Sequence, residues 1–188
     1  MPDAIAEHYG VKCYNCLTGF KYIAKIIREQ EGKTKYIGGG EESFGYLPGD
    51  YVRDKDGVSA ITLVAEAAAW ARETMGITLY EWLQQLYVKY GFYREGLVNV
   101  VRKGKDGAAE IQQMMVDYRQ NPPKSLLGSP VVKVLDYKTL EELDVRTGEK
   151  RPIEGIDDKS NVLQWLTEDG TKVSVRPSGT EPKIKFYF

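Results

Sequence analysis

Apolar positions recur at helical spacing in several stretches of the chain and at alternating spacing in others. Residues 3–9 predict a short helix, and 11–16 an extended run. Over 19–31, Tyr22, Ile23, Ile26 and Ile27 share one face and Gly32 marks a stop, which predicts a helix. Residues 34–37 read as a strand leading into a glycine-rich turn. That alternation predicts part of an α/β layer, a mixed sheet with helices that includes parallel strands. Residues 59–75 are alanine-rich and apolar on most faces, so a helix buried on several sides is expected. Thr78 and Glu81 form a capping box, with Ile77 and Trp82 at staple positions and Gly91 at the close.

The second half reads differently. Residues 92–102 predict a strand. Ile111, Met114, Met115 and Tyr118 stand at i, i+3, i+4 and i+7, an amphipathic helix ended by Asn121-Pro122-Pro123. Strands follow at 131–137, 162–167 and 172–175, the last two joined at Asp169-Gly170, with a terminal strand alternating Ile184, Phe186 and Phe188 against Lys185 and Tyr187. This half is an α+β unit with an antiparallel sheet. Residues 139–159 are polar and predict no element.

Composition narrows the class. The 188 residues are 42% hydrophobic and 28% charged, ordinary for a globular chain. With 26 basic and 27 acidic residues the formal net charge is −1, which gives no pull toward nucleic acid or an anionic membrane. No apolar run is long enough to span a bilayer, and Met1-Pro2-Asp3-Ala4 does not read as a signal peptide, so a cytoplasmic protein is expected. Cys13 and Cys16 have CxxC spacing, but with His8 the single histidine there is no second ligand pair for zinc. Two reduced thiols are the expectation.

Two segments carry chemistry. Arg176-Pro177-Ser178-Gly179-Thr180-Glu181-Pro182-Lys183 combines a guanidinium fork, two hydroxyls and a glycine amide between two prolines, a pattern suited to phosphate. Gly40-Glu41-Glu42-Ser43-Phe44-Gly45-Tyr46 offers two carboxylates and a serine between glycines, able to hydrogen-bond the vicinal hydroxyls of a sugar. Arg53-Asp54-Lys55-Asp56-Gly57 brings two cations ahead of a helix; its Asp-x-Asp-Gly lacks the spacing and the glutamate of an EF-hand. No P-loop, dinucleotide fingerprint or Ser/His/Asp set is present. The residues themselves therefore point to a phosphosugar site without an evident nucleophile.

In chain order, the Gly40–Tyr46 segment, then Asp50-Tyr51-Val52-Arg53-Asp54-Lys55-Asp56, then the Arg176–Lys183 segment resemble the α-D-phosphohexomutases, in particular the bacterial phosphoglucomutases akin to the vertebrate phosphoglucomutase-2 and phosphopentomutase group. The resemblance runs over essentially the whole chain. It implies a C-terminal fragment: residues 1–75 as part of domain 3, with the sugar-recognition loop; 76–91 as a connecting helix; and 92–188 as domain 4, a TATA-binding-protein-like fold with the phosphate loop. The family's phosphoserine motif and its Asp-rich magnesium loop are absent from this sequence, so the implied Mg2+ is held by a domain outside it. Glu41 and Ser43 match positions that bind the sugar's 3- and 4-hydroxyls, and Glu42 lies between them. Lys55 matches a lysine facing the active site, and Lys21, in Thr18-Gly19-Phe20-Lys21, a further substrate-facing segment. Arg176, Ser178, Gly179 and Thr180 match the loop that grips the phosphate not being transferred, with Lys183 adding charge.

What the resemblance implies for the parent is interconversion of glucose 1-phosphate and glucose 6-phosphate, through a phosphoserine and glucose 1,6-bisphosphate. The fragment would supply sugar and phosphate binding only. Tyr46 stands where some phosphomannomutases have histidine, which favours glucose phosphates. Phosphopentomutase and phosphomannomutase are the alternatives within the class, and a stand-alone, non-catalytic phosphosugar-binding module is the alternative outside it. The expected partners are a phosphosugar and the missing N-terminal domains, with neither nucleic acid nor membrane. A helix comes first where the family has an opening strand, so an uncovered sheet edge, and with it dimerisation of the fragment, is expected.

Overall fold

The computed structural model describes residues 1–188 apart from 42–44, 105 and 180. It divides into two compact units, Met1–Tyr93 and Arg94–Phe188.

In the first unit, α1 (Pro2–His8) begins at a proline, whose missing N–H costs nothing at a helix start. Near its end, Lys89 Nζ lies 2.9 Å from His8 Nε2, so the single histidine sits on the surface against a lysine. Helix α2 (Phe20–Gln30) buries Phe20 and Ile27, and Leu47 completes this small core, with Ile23 and Tyr36 packed against it. Strands β1 (Gly39–Gly40) and β2 (Tyr46–Leu47) pair antiparallel as a hairpin, Gly39 opposite Leu47 and Gly40 opposite Tyr46.

Asp56 caps α3 (Gly57–Met75), accepting from the Val58 and Ser59 amides at 3.2 and 2.9 Å. Gly76 ends the helix at φ 68°, a left-handed conformation that glycine enters without penalty, and its N–H reaches back to the last turn. Helix α4 (Leu79–Tyr90) has the expected capping box: Thr78 Oγ1 accepts from the Glu81 amide at 3.2 Å, while Glu81 Oε2 accepts from the Thr78 amide at 2.7 Å. Trp70 and Trp82 bring α3 and α4 together, their ring centroids 5.3 Å apart.

Two expectations fail in this unit. Residues 11–16 and 34–37 are not strands, and among the described residues the only ladder here is the β1–β2 hairpin, with no parallel pairing. An extended segment becomes a strand only where a neighbouring strand takes its N–H and C=O groups; here the Val11 N–H goes to the Ala6 carbonyl at 2.8 Å, and no described strand pairs with residues 11–16. Helix α3 is also not buried on several sides. Ala71 is its one buried residue, while Val58, Ile61, Leu63, Val64 and Trp70 are exposed.

The second unit is built around one antiparallel sheet, in the order β3-β10-β9-β8-β5-β6-β7. Its strands are β3 (Leu97–Val101), β4 (Ser125–Leu126), β5 (Ser129–Asp136), β6 (Glu141–Asp144), β7 (Lys150–Pro152), β8 (Leu163–Thr167), β9 (Lys172–Pro177) and β10 (Lys183–Tyr187), with β4 pairing β5. Period-two burial is cleanest in β8, where Leu163, Trp165 and Thr167 face inward. Helix α5 (Gly107–Gln120) lays Ile111 and Met115 on that face, against Val131, Leu163, Trp165, Val175 and Ile184. Tyr118 meets Trp165 edge-on at 5.2 Å.

The Asp169-Gly170 turn between β8 and β9 is built as expected. Asp169 Oδ1 accepts from Thr167 Oγ1 at 2.6 Å and from the Thr171 amide at 3.0 Å, and Gly170 takes φ 86°. Residues 139–159, which predicted nothing, supply β6 and β7. Ion pairs span their neighbouring strands: Glu142 on β6 lies 2.6 Å from Arg151 on β7 and 2.9 Å from Lys133 on β5.

Candidate functional site

The first candidate site is the β1–β2 hairpin. Its two strands are so short that the turn follows at once, closed by the Glu41 N–H donating to the Gly45 carbonyl at 2.8 Å. Of the predicted sugar contacts Glu41 is described, whereas Glu42 and Ser43 lie outside the described residues. The Glu41 side chain is only 7% exposed, and its Oε2 accepts from Lys55 Nζ at 2.8 Å, while Lys55 is 47% exposed. Lys55 comes from the turn just before the Asp56 cap, so the α3 start aims the ammonium back at the hairpin.

A half-open ion pair of this kind contributes about 0–1 kcal/mol, and its value lies in fixing the two side chains. Lys55 Nζ also stands 5.2 Å from the centroid of the Phe20 ring, a cation–π contact worth about 0.5–1 kcal/mol at an exposed site. Cys16 lies near the same carboxylate: burial pushes its thiol up, and the Glu41 charge adds to the effect. Cys13 is pushed up by burial and by its hydrogen bond to Asp3. Both cysteines are free, and both are thus held toward the protonated thiol, the form that neither ligates metal nor attacks disulfides.

Lys21, predicted as a further substrate contact, is exposed and stands over the Tyr22 ring at 4.7 Å. The structure groups Glu41 with Lys55, and it does not bring Lys21 into that pair. Tyr36 secures the hairpin from the other side, its hydroxyl donating to the Leu47 carbonyl at 3.1 Å; burial, with the Tyr46 and Asp50 charges, pushes it up to about 12.

The second candidate site is the connection between β9 and β10. These strands pair with Arg176 opposite Lys185 and Pro177 opposite Ile184. The turn is closed by the Ser178 N–H donating to the Lys183 carbonyl at 2.8 Å, and Ser178 Oγ accepts from the Glu181 N–H at 3.3 Å. Lys183 forms an ion pair with Glu181. Arg176 is half-buried at the root of the turn, and among the described residues no carboxylate pairs with it. Gly179 is exposed, with open space where a Cβ would stand, so steric need for glycine is not what the turn shows. Thr180 lies outside the described residues.

This arrangement suits an anion: a half-buried guanidinium without a described counter-ion favours a negative partner, and rigid prolines on both sides limit the ordering cost. No group of three or more His, Cys, Asp or Glu side chains able to hold a metal occurs among the described residues, and none of the described helices is long and apolar enough to cross a membrane. In the sequence Gly45 and Phe20 stand out only as members of the Gly40–Tyr46 and Thr18–Lys21 segments, with no role of their own. The spacing of Gly45 between two aromatics was the available signal.

Residues 1–90 match the model of phosphoglucomutase/phosphomannomutase alpha/beta/alpha domain III, and residues 97–188 match that of the phosphoglucomutase/phosphomannomutase C-terminal domain. A phosphoglucomutase of Staphylococcus aureus is 36% identical over 187 residues, covering 100% of this chain and 33% of the relative. A phosphoglucomutase of Staphylococcus haemolyticus is 35% identical over 184 residues, 97% of this chain and 33% of the relative. The chain thus spans about a third of the length of the curated relatives it matches. Among solved structures, the exocytosis-sensitive phosphoprotein pp63/parafusin of Paramecium, a phosphoglucomutase in its open form, superposes with a TM-score of 0.65 at 20% identity, over 99% of this chain and 30% of that one. At that identity the likeness speaks for the fold.

Proposed function

Because this chain belongs to the phosphoglucomutase/phosphomannomutase family and carries its domain III and C-terminal domain, we propose that it supplies two binding elements to a phosphoglucomutase. Glu41, with Glu42 and Ser43, binds the sugar hydroxyls, and Lys55 and Lys21 add positive charge on the same unit. Arg176, Ser178, Gly179, Thr180 and Lys183 hold the phosphate that is not being transferred. Within the chain, residues 1–75 form the sugar domain, 76–91 the connecting helix and 92–188 the phosphate domain.

The whole enzyme moves phosphate from a phosphoserine to glucose 1-phosphate; the glucose 1,6-bisphosphate reorients and returns phosphate to serine from its other end. Either phosphate must then fit the same loop, so charge and amides serve it better than any reading of the sugar. Magnesium offsets charge on the transferring group when bound, and its ligands are outside this chain. The parent works in the cytoplasm on a phosphosugar, with glucose preferred to mannose or pentose phosphates.

The observation that carries this reading is Arg176: a half-buried cation at the root of a rigid turn, with no described carboxylate beside it. The test is calorimetric titration of the chain with glucose 1-phosphate. Arg176→Ala is expected to weaken binding by about ten- to a hundredfold, the range for a charged hydrogen-bonding partner. Equal affinity in wild type and variant, or measurable turnover by the chain alone, contradicts the assignment.

A further inference from the structure

The hairpin site has a floor that neither the sequence motifs nor the family match assigns. Phe20 is the first residue of α2 and is buried, in a core with Ile27 and Leu47. Two segments distant in sequence, the β1–β2 hairpin and the turn that carries Lys55, meet at its ring. Lys55 Nζ stands 5.2 Å from its centroid, and that same Nζ donates to Glu41 Oε2 at 2.8 Å. Gly45 is buried against them: a Cβ there would lie 2.7 Å from Lys55 Cδ, 2.8 Å from Phe20 Cε2 and 3.0 Å from Glu41 Oε2. The backbone at Gly45 thus approaches the cluster more closely than any side chain allows, and the ring is what the lysine stem and the carboxylate are pressed toward.

From this packing we propose that Phe20 is a positioning residue: its ring, with Gly45 closing over it, fixes the Lys55 ammonium against Glu41 and so presets the hairpin for its phosphosugar. The last clause rests on the proposed function; the placement of Lys55 does not. The physics is specific to an aromatic face. A ring favours the ammonium over the neutral amine through its quadrupole, which an aliphatic side chain of similar size cannot do. A buried residue acting only as core filler has no such effect on a neighbouring lysine.

The experiment is competitive amine modification of the 188-residue chain at fixed pH, with the rate at Lys55 read by peptide mass spectrometry against the exposed Lys172. Phe20→Leu is expected to raise the Lys55 rate by about two- to fivefold, the factor equivalent to an exposed cation–π contact. Phe20→Tyr keeps the ring and is expected to leave the rate unchanged. Ile27→Val, which thins the same core without touching the ring, is also expected to leave it unchanged. Gly45→Ala, which keeps Phe20 but wedges the cluster apart, is expected to raise it as Phe20→Leu does, so the proposal stays testable if Phe20→Leu folds poorly.

An unchanged Lys55 rate in both Phe20→Leu and Gly45→Ala overturns the proposal, as does an equal rise in Ile27→Val. Adding glucose 1-phosphate separates the two readings. Protection of wild-type Lys55 that Phe20→Leu loses supports both. A Phe20 effect without ligand protection retains the seat and removes the sugar role. Protection that survives Phe20→Leu retains the sugar role and removes the presetting of the hairpin by Phe20.

Discussion

The two units hold their candidate sites by different means. In the second, the Arg176–Lys183 turn springs from two neighbouring strands inside a continuous sheet, and a core centred on Met115, Leu163, Trp165, Val175 and Ile184 lies beneath. In the first, the hairpin is two residues deep on each side, and its core is Phe20, Ile27 and Leu47. The longest helix of that unit, α3, leaves most of its apolar residues exposed. The contrast shows two ways to aim side chains. A sheet fixes a turn through backbone pairing, whereas a short hairpin depends on a few side-chain contacts, here those of Phe20, Lys55 and Tyr36.

The largest expected difference between the units is in their response to losing apolar volume. Leu163→Ala should destabilise the second unit by about 2–5 kcal/mol. Ile61→Ala on α3, whose side chain is 72% exposed, should change stability by no more than about 0.5 kcal/mol. Denaturant unfolding checks both, and comparable losses would break the comparison by showing that the α3 face is covered in solution.

Polar anchoring should differ in the same sense. Arg119 donates to Asp136 Oδ2 at 2.9 Å and to Asn161 Oδ1 at 2.7 Å, with the Arg119 and Asp136 side chains 18% and 17% exposed. Arg119→Ala should cost about 1.5–3 kcal/mol. Arg53→Ala, which removes only an open pair with Glu31, should cost about 0–1 kcal/mol. In the first unit Thr78→Ala removes half of the α4 capping box and should cost about 1 kcal/mol, readable as lost helicity and a lower melting temperature.

The smallest effect should be spread over both units. Hydrogen bonds from Ser59 and Val58 hold Asp56 below its ordinary value, as those from Thr78 do Glu81, those from Thr147 and Arg146 do Asp144, and those from Thr167 and Thr171 do Asp169. Burial raises Glu142, but Lys133 and Arg151 outweigh it and the net direction is down. Each of these groups binds its proton more tightly in the unfolded chain. Their stabilisation is therefore present above the ordinary carboxylate range near pH 4 and is lost as pH falls through the lower folded values. Thermal melts from pH 6 to pH 2 should show this decline, and Asp169→Asn should flatten it. A melting temperature that rises on acidification would contradict the sign.

How much of this was legible in the sequence follows the same divide. The α5 stripe and the Asp169-Gly170 turn could be read because their periodicity and turn chemistry are local. Strands β6 and β7 could not, since Glu141, Glu142, Lys150 and Arg151 pair through charge and carry little apolar alternation. In the first unit, local pattern overpredicted: 11–16 has strand-like residues but no ladder, and α3 has a core-like sequence without cover. The motifs singled out Glu41, Lys55 and Arg176, whose part in binding is a proposal. They did not foretell the Glu41–Lys55 pair or its Phe20 seat, because those contacts join three separated segments and exist only once the chain is packed. Glu42, Ser43 and Thr180, equally prominent in the motifs, fall outside the described residues.

The most direct test of the central claim, that one chain carries a sugar element and a phosphate element, is amide chemical-shift mapping with three ligands. Glucose 6-phosphate should shift resonances around Glu41, Gly45 and Lys55 and also those from Arg176 to Lys183. Inorganic phosphate should shift only the second group, and Arg176→Ala should abolish that response. If glucose 6-phosphate moves neither group while the chain stays folded, or if phosphate moves the Glu41 hairpin instead of the Arg176 turn, the account is wrong.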